Sequence, residues 1–345
     1  MPSQILITGA TGFIGRHLAR DLMRQGSSVR VLARSQRKVR QLFGDTVEIV
    51  AGHLDDTAAL QRACRGIDVV YHVAGLYRFG LRHRRELWAT NVEGANNLLR
   101  SAWAARVDRV VHLSSGGVLQ CPGARLLEES DFPATPPRFC PYKASKWHAE
   151  LRALAWARRG LPVIIASTTC PIGHGDEAPT PTGRMIRDFL ARRFPFFCHT
   201  GLNFINVGDL SRGLQAAASA GRSGERYLLS DQNLWLKEFL DLLAAETGLP
   251  APRLRLPGAL IAAIGCGGEM LDLLASGDGQ ARVCIETALQ SRHRQFFTNA
   301  KARRELGWKA TTSLRDSIHE AVAWFRHGTE RGFSPAPAPV ESHAR

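Results

Sequence analysis

The sequence predicts an α/β fold with a doubly wound parallel sheet, on three observations. Short apolar, β-branched runs alternate with helical stretches through the first half of the chain. A glycine-rich turn, Thr8-Gly9-Ala10-Thr11-Gly12-Phe13-Ile14-Gly15, directly follows the first of those runs. After about residue 170 the rhythm breaks, and Pro179-Thr180-Pro181-Thr182-Gly183 opens a segment richer in turns. Right-handed crossovers between parallel strands then put ligands at the carboxyl ends of the strands.

In order along the chain, Ile5–Thr8 reads as a strand and Gly15–Gln25 as a helix. Val29–Ala33, Val47–Ala51 and Asp68–Val73 continue the strands, with helices at Lys38–Leu42 and Thr57–Cys64 between them. The long stretch Glu86–Ala104 reads as a helix before the strand Val110–Ser114, and Tyr142–Ala157 as another before Val163–Ser167. Beyond the break, Phe204–Val207 and Arg226–Leu229 look like strands and Leu236–Thr247 like an amphipathic helix.

The glycine turn is shaped to hold a dinucleotide. Gly9 permits the tight turn, Gly12 lets the backbone approach a pyrophosphate, and Gly15 lets the helix pack closely on the strand. The unpaired N–H groups and the dipole of the helix start, in the Thr11, Phe13 and Ile14 stretch, face the phosphates. A strand before the turn and a helix after it supply the context that separates this motif from a ligand-free turn. The second strand ends at Arg34, where NAD sites place an acid for the adenosine ribose. A guanidinium fork there, with Arg37 and Lys38 close behind, suits a 2′-phosphate, so NADP is expected ahead of NAD. Leu54 and Asp55, at the end of the third strand, are expected to flank the adenine.

Residues 1–174 are thus the expected dinucleotide-binding domain, a Rossmann fold that also receives a strand and helix from about 203–224. Residues 175–202 and 225–330 are expected to form a smaller substrate lobe. Residues 331–345, with alternating Pro335, Ala336, Pro337 and Ala338, read as a flexible tail.

Tyr142 and Lys146 lie four residues apart, on one side of a helix. A phenol titrates near 10 and is a poor base at neutral pH. A neighbouring ammonium and an oxidised nicotinamide both favour phenolate, so Tyr142 can take an alcohol proton as hydride leaves, or return it in reduction. Lys146 can also hold the nicotinamide ribose, and Ser115, at a strand end, can orient a carbonyl oxygen. Pro141 suits the first turn of that helix.

Bulk properties narrow the rest. Of 345 residues, 44% are apolar, enough to bury a sizeable core without disorder outside the end. The seven cysteines are scattered with no C-x-x-C pair, which reads as buried thiols of a reduced compartment. The chain enters a strand within four residues, leaving no room for a signal segment, so a cytoplasmic location is expected. The net charge of +14 reads first as solvated surface, next as a site for a membrane surface or anionic ligand. Nucleic acid is disfavoured, because the basic clusters lack interleaved aromatics and no reader motif is present. His72, His112 and His148 lack metal-ligand spacing, so no metal is expected. Leu254–Ala275 is apolar, but its uncharged run Leu256–Gly268 is too short to span a bilayer. It reads as a lobe helix, with a lip that touches membrane, or one built for a lipid-like substrate, as the alternatives.

Together these pieces resemble an extended short-chain dehydrogenase/reductase over about residues 4–328. The matching stretches are the glycine turn, His72-Val73-Ala74, Asn91-Val92-Glu93-Gly94 with Asn96-Asn97-Leu98, the Leu-Ser-Ser at 113–115 and Tyr142-Lys143-Ala144-Ser145-Lys146. The branch resembled is that of dihydroflavonol 4-reductases, 3β-hydroxysteroid dehydrogenases and bacterial hopanoid-associated epimerase-like proteins. Thr180-Pro181-Thr182-Gly183-Arg184 and Gly201-Leu202-Asn203 look like the last group. The resemblance implies Ser115, Tyr142 and Lys146 as catalytic, with Ser115 preferred over Ser114 by its distance to Val118. It implies Ala74 and Asn91 near the nicotinamide side. Tyr77, Gly116 and Arg184 are expected at the substrate. His53 stands where the family has an acid, Ser167-Thr168-Thr169-Cys170 precedes Pro171 where the family turns on a proline, and Asn206 and Gly208 replace a His and an Asp while Asp209 remains.

Three readings of the reaction compete. The first is interconversion of a secondary alcohol and a ketone on a bulky apolar substrate such as a steroid or other polycyclic isoprenoid. A carboxylate beside the alcohol would extend it to decarboxylation, with Arg184 or Arg82 holding that carboxylate. The second is sugar-nucleotide epimerisation with NAD retained. The third, a non-catalytic module, is opposed by the intact Ser115, Tyr142 and Lys146. Trp88, Trp103, Trp147 and Trp156 lie on helices that resemble a family dimer bundle and read either as homodimer anchors or as ordinary core.

Overall fold

The computed structural model describes residues 3–121, 125–274, 288 and 294–327. In chain order the strands of the large sheet are β1 (Gln4–Thr8), β2 (Ser28–Ala33), β3 (Glu48–Ala51), β4 (Val69–His72), β5 (Arg109–Ser115) and β6 (Val163–Thr168). Three strands of a second sheet follow: β7 (Cys170–Ile172), β9 (Gly201–Asn206) and β11 (Gln232–Trp235). β8 (Phe196–Phe197) pairs with β12 (Leu254–Arg255), and β10 (Arg226–Leu229) returns to the large sheet. The seven large-sheet strands run parallel in the order β10-β6-β5-β4-β1-β2-β3. The chain starts in the middle and winds out both ways, so the crevice between β1 and β4 is the switch point of the topology.

Alternation along each strand explains the two helical layers. Ile5 and Ile7 of β1 join a core with Leu18 and Leu22 of α1 (Phe13–Arg24), Val39 of α2 (Gln36–Phe43) and Leu214 of α8 (Val207–Ala220). Leu6 points the other way, into a core with Leu60 of α3 (Thr57–Cys64), Leu98 of α5 (Gly94–Ala104) and Ala153 of α6 (Pro141–Arg158). A third core packs Phe204 of β9 against α7 (Pro181–Leu190), α9 (Leu236–Thr247) and α12 (Leu314–His327).

The expected domain boundaries shift in three places. β10 was placed in the lobe, yet it extends the large sheet beside β6, because Tyr227 and Leu229 are fully buried in the α1 and α8 core. The same core takes Leu306 and Trp308, so α11 (Ala300–Leu306) also leaves the lobe. Conversely β9, expected within the dinucleotide domain, pairs with β7 and β11 in the small sheet. The stretch read as one helix over Glu86–Ala104 is α4 (Arg84–Leu87), a π-helical turn Trp88–Glu93 and α5. The wider turn carries Asn91, whose side chain is fully used inside the protein (below).

Leu254–Ala275 divides into β12 and a helix, α10 (Gly258–Leu274). No helix among the described residues is long and apolar enough to cross a membrane. None of the six described cysteines is in a disulfide; Cys64 and Cys140 are buried, but Cys121, Cys170 and Cys198 are half-buried and Cys266 is exposed, so the expected burial holds for only part of the set. Cys284 and the expected tail lie outside the described residues.

Candidate active site

The site begins where β1 runs out. Gly9 takes φ +79, and a Cβ there would stand 2.6 Å from the Ala74 nitrogen at the end of β4. Gly12 closes the turn by donating its N–H to the Gly9 carbonyl at 3.0 Å. At Gly15 a Cβ would fall 2.2 Å from the Gly9 oxygen, so only glycine lets α1 sit on the strand end this closely. Gly12 is the cap residue of α1, and no side chain caps that terminus. The first-turn N–H groups therefore stay available at a helix start that carries no acidic residue. This is a built anion cradle, and it fits the pyrophosphate that the motif implies.

The cradle opens into a cavity of about 720 Å³, in the range of small-molecule sites. Thr11, Phe13 and Ile14 line it beside the glycines. Arg34, Leu54 and Asp55 line one end of it. The Arg34 guanidinium is exposed and enters no ion pair or hydrogen bond among the described residues. Lys38, expected beside it, is instead paired with Glu177 at 2.8 Å, and Glu177 also takes Arg16 at 3.1 Å. His53 contacts the carboxylate of Asp55, which gives the rim an acid despite the missing one at position 53. Leu54 is fixed by Gly94, where a Cβ would approach it to 2.7 Å, and by Asn97, which donates to its carbonyl.

At the other end β5 and the start of α6 meet. Pro141 opens α6, and Tyr142 and Lys146 stand one turn apart on it. Ser115, Tyr142 and Lys146 line the same cavity as the glycine turn. The two adjacent serines separate cleanly. Ser114 is buried and donates its hydroxyl to the Glu150 carboxylate at 2.5 Å, whereas among the described residues the Ser115 Oγ accepts only the Gly117 N–H at 3.2 Å. Lys146 donates to the Leu113 carbonyl at 3.0 Å. Burial pushes its ammonium down to about 8, and the Glu150 carboxylate opposes that shift. The Tyr142 ring stacks on Tyr77 with centroids 4.2 Å apart, and Phe79 meets it edge-on at 6.1 Å.

The remaining expected residues divide. Ala74 lines the cavity, and its N–H donates to Thr8 Oγ1 at 3.3 Å. Thr8 in turn bonds His72 Nδ1 at 2.8 Å; burial holds that imidazole down at about 3, so it is neutral at physiological pH. Asn91 stands behind the wall. Its Oδ1 accepts the Leu76 N–H at 2.7 Å, and its Nδ2 donates to the Leu76 carbonyl and to Ser145. It shapes the loop that carries Ala74 and Tyr77. Gly116 is buried against the Phe297 ring, which a Cβ would meet at 3.1 Å, so it is a packing position off the cavity lining. Arg184 on α7 lies outside the lining. Burial lowers its pKa, and Tyr77 beside it opposes that effect.

The sequence reading passed over Glu150, which is fully buried and takes Arg226 as well as Ser114. Its signal was legible: Tyr142, Lys146 and Glu150 repeat every four residues on one helix face. The altered residues at 206–209 have structural duties. Asn206 caps α8 through the Gly208 N–H, and the buried Asp209 accepts the N–H groups of Thr311 and Thr312. Thr168, Thr169 and Pro171 all line the cavity, so the chain passes the site despite its different turn. Trp147 and Trp156 are core residues, donating to Pro133 and Asn96, while Trp88 and Trp103 are exposed.

Residues 5–230 match the model of the NAD dependent epimerase/dehydratase family. A relative described as a putative dihydroflavonol 4-reductase from Synechocystis is 33% identical over 95% of this chain and 96% of its own. Sterol demethylase protein B from Methylococcus capsulatus is 33% identical over 95% of this chain and 98% of its own. The crystal structure of a nucleoside-diphosphate-sugar epimerase from Pseudomonas aeruginosa superposes with a TM-score of 0.79 at 28% identity, covering 94% of this chain and 98% of that one. With a family match across more than half its length and a doubly wound sheet carrying the glycine cradle, the chain belongs to the NAD-dependent epimerase/dehydratase family of extended short-chain dehydrogenases/reductases and is an NAD(P)-dependent oxidoreductase.

Proposed function

We propose that this enzyme interconverts a secondary alcohol and a ketone on a bulky apolar substrate, with exchangeable NADP(H). The observation that carries the reading is that Ser115, Tyr142 and Lys146 share one cavity with the uncapped glycine turn. The nicotinamide supplies or accepts the hydride when bound. Ser115 Oγ holds the substrate oxygen by a hydrogen bond. The Tyr142 phenol gives its proton to that oxygen in reduction and takes it back in oxidation. Lys146, held at the carboxyl end of β5 by the Leu113 carbonyl, keeps positive charge beside the phenol and favours its ionised form. It also holds the nicotinamide ribose hydroxyls. Glu150 steadies the Lys146 ammonium from below. Arg34, with no competing partner among the described residues, binds the 2′-phosphate and sets the preference for NADP.

For the substrate, a 3β-hydroxysteroid or another polycyclic isoprenoid is favoured by the sterol demethylase relative and by the aromatic mouth that Tyr77 and Phe79 form over Tyr142. A β-hydroxy acid of this class would be oxidised to a β-keto acid, which loses carbon dioxide readily, and Arg184 beside Tyr77 would hold its carboxylate. Trp88 and Trp103 offer the anchors of a homodimer face. A second reading, sugar-nucleotide epimerisation with retained NAD, draws on the Pseudomonas aeruginosa structure.

One experiment divides the two. Purified enzyme is given NADPH and a panel of cyclic ketones, including 3-ketosteroids, and loss of reduced nicotinamide is followed. Net oxidation of NADPH is expected, with no tightly held nucleotide in the purified protein. Stoichiometric bound NAD, together with interconversion of a sugar nucleotide without net cofactor turnover, would replace this reading by the second.

A further inference from the structure

The helix α10 has an unusual surface. From Leu256 to Gly268 the chain carries no charged residue. Ile261 and Gly265 are buried, which accounts for one side of the helix. The exposed positions Ala259, Leu260, Ala263, Ile264, Cys266 and Gly267 contain no charged or amide side chain either. From Gly258 to Gly268 α10 is apolar all round, and its two acids, Glu269 and Asp272, follow only in its last turns. Such a stretch is normally buried all round, and one at a water surface carries a polar outer face. Here Leu260 is 47% exposed and Ile264 39%, while Leu254, just before the helix, is 61% exposed. Scattered exposed apolar residues need no explanation, but a contiguous set does.

Positive charge borders this set. Arg253 and Arg255 are exposed on the segment that leads into α10. α10 packs on the 3₁₀ turn Leu81–His83, and that turn runs straight into α4, where Arg84 and Arg85 are exposed. These four guanidinium groups enter no ion pair among the described residues. An apolar strip flanked by unpaired arginines complements one common surface, a bilayer with anionic headgroups. Aliphatic side chains enter the acyl boundary while arginines stay at the headgroup level. At 17 residues the helix is suited to lie in that boundary and not to cross it.

We propose that α10, with Arg253 and Arg255 before it and Arg84 and Arg85 on α4, is a docking surface for anionic lipid bilayers. The surface touches the site. The turn that α10 packs against follows the loop carrying Ala74 and Tyr77, so docking sets the mouth of the cavity next to the lipid. The proposal rests on the surface alone and not on the identity of the substrate.

The test is co-sedimentation of the full chain with vesicles, in the absence of substrate and cofactor. Vesicles of phosphatidylcholine alone are compared with vesicles that also contain phosphatidylglycerol, at low and high salt. Binding is expected to the second kind and to fall as salt rises. Arg253→Glu with Arg255→Glu should weaken it by roughly tenfold or more. Leu260→Glu with Ile264→Glu should abolish it, while melting temperature and NADPH titration match the parent protein. Failure of the parent to bind either vesicle overturns the proposal, as does undiminished binding by the Leu260→Glu, Ile264→Glu variant. If that variant instead turns a dimer into a monomer, the strip belongs to a second copy of the chain and the proposal also fails. None of these outcomes bears on NADPH oxidation, so the oxidoreductase reading stands or falls separately.

Discussion

The two ends of the cavity are built from different materials. At the β1 end the site is backbone: a glycine at φ +79, a turn closed by one N–H, and a helix start with no side-chain cap. At the β5 end it is side chains, with Tyr142 stacked on Tyr77 from a loop and Lys146 pinned to the Leu113 carbonyl from a helix. Backbone sites tolerate almost no change of shape and carry little chemical choice. Side-chain sites tolerate changes of shape and lose function when one functional atom is removed. The two kinds of failure are separable by experiment.

The largest effect is expected from Tyr142→Phe, which deletes one oxygen and leaves the stacked ring in place. Loss of a positioned general acid costs about 10²–10⁴ in kcat. NADPH affinity and melting temperature should stay close to those of the parent, because the contacts of the glycine turn are untouched. Steady-state kinetics beside a fluorescence titration will show this. Retention of full turnover would assign the proton to another group.

Next is Arg34→Ala, which sharpens the comparison inside the cofactor end. A charge-assisted hydrogen bond is worth about 1.5–3 kcal/mol, so NADPH should bind on the order of 10–100-fold more weakly while NADH is little changed. Equal titration curves for the two nucleotides in the parent protein would remove Arg34 from the specificity argument. Lys38 is expected to contribute less, since its ammonium is already paired with Glu177.

A glycine pair tests the backbone claim directly. Gly15→Ala places a methyl 2.2 Å from the Gly9 oxygen, with backbone that cannot yield. Overpacking of that kind costs about 1–3 kcal/mol, and NADPH affinity should fall with it as α1 lifts off the strand. Gly267→Ala on α10 meets nothing within 4 Å. There the same change should stabilise the fold by up to about 1 kcal/mol through helix propensity. Thermal or urea unfolding reads both, and equal signs would break the contrast.

The contrast also explains how much the sequence disclosed. The glycine turn, Arg34 and the Tyr142–Lys146 pair were readable because each is a short-range pattern whose geometry follows from one turn or one helical repeat. The strands Ile5–Thr8 and Arg226–Leu229 were equally plain, but the sheet to which the second belongs was not. Its place beside β6 is decided by Tyr227 and Leu229 meeting a core that also draws on the far end of the chain, such as Leu18 of α1. Asn91 illustrates the same limit. Its motif pointed to the nicotinamide side, but its bonds to Leu76 and Ser145 depend on a π-helical turn that no local pattern announced. The strip on α10 was visible as apolarity, while its exposure depended on tertiary packing.

The smallest effect concerns pH and isolates Glu150 as a positioning residue. Burial lowers Lys146 to about 8, and the Glu150 carboxylate is what opposes it. The ammonium is therefore present at neutral pH and is lost as pH rises through about 8, so kcat/KM in the free enzyme should show an alkaline limb there. Glu150→Gln removes the opposing charge and should move that limb to lower pH, with little change at the acid end. A purely structural role for Glu150 would lower the whole profile without moving the limb. Unfolding cannot imitate the limb through Lys146 itself. Its folded pKa lies below the ordinary lysine value near 10.4, so between about 8 and that value the unfolded chain binds more protons. Stability then rises with pH across this window as far as Lys146 is concerned, while activity falls. A melting temperature followed over the same range separates the two, and a limb that stays fixed in Glu150→Gln would leave Lys146 positioned by the Leu113 carbonyl alone.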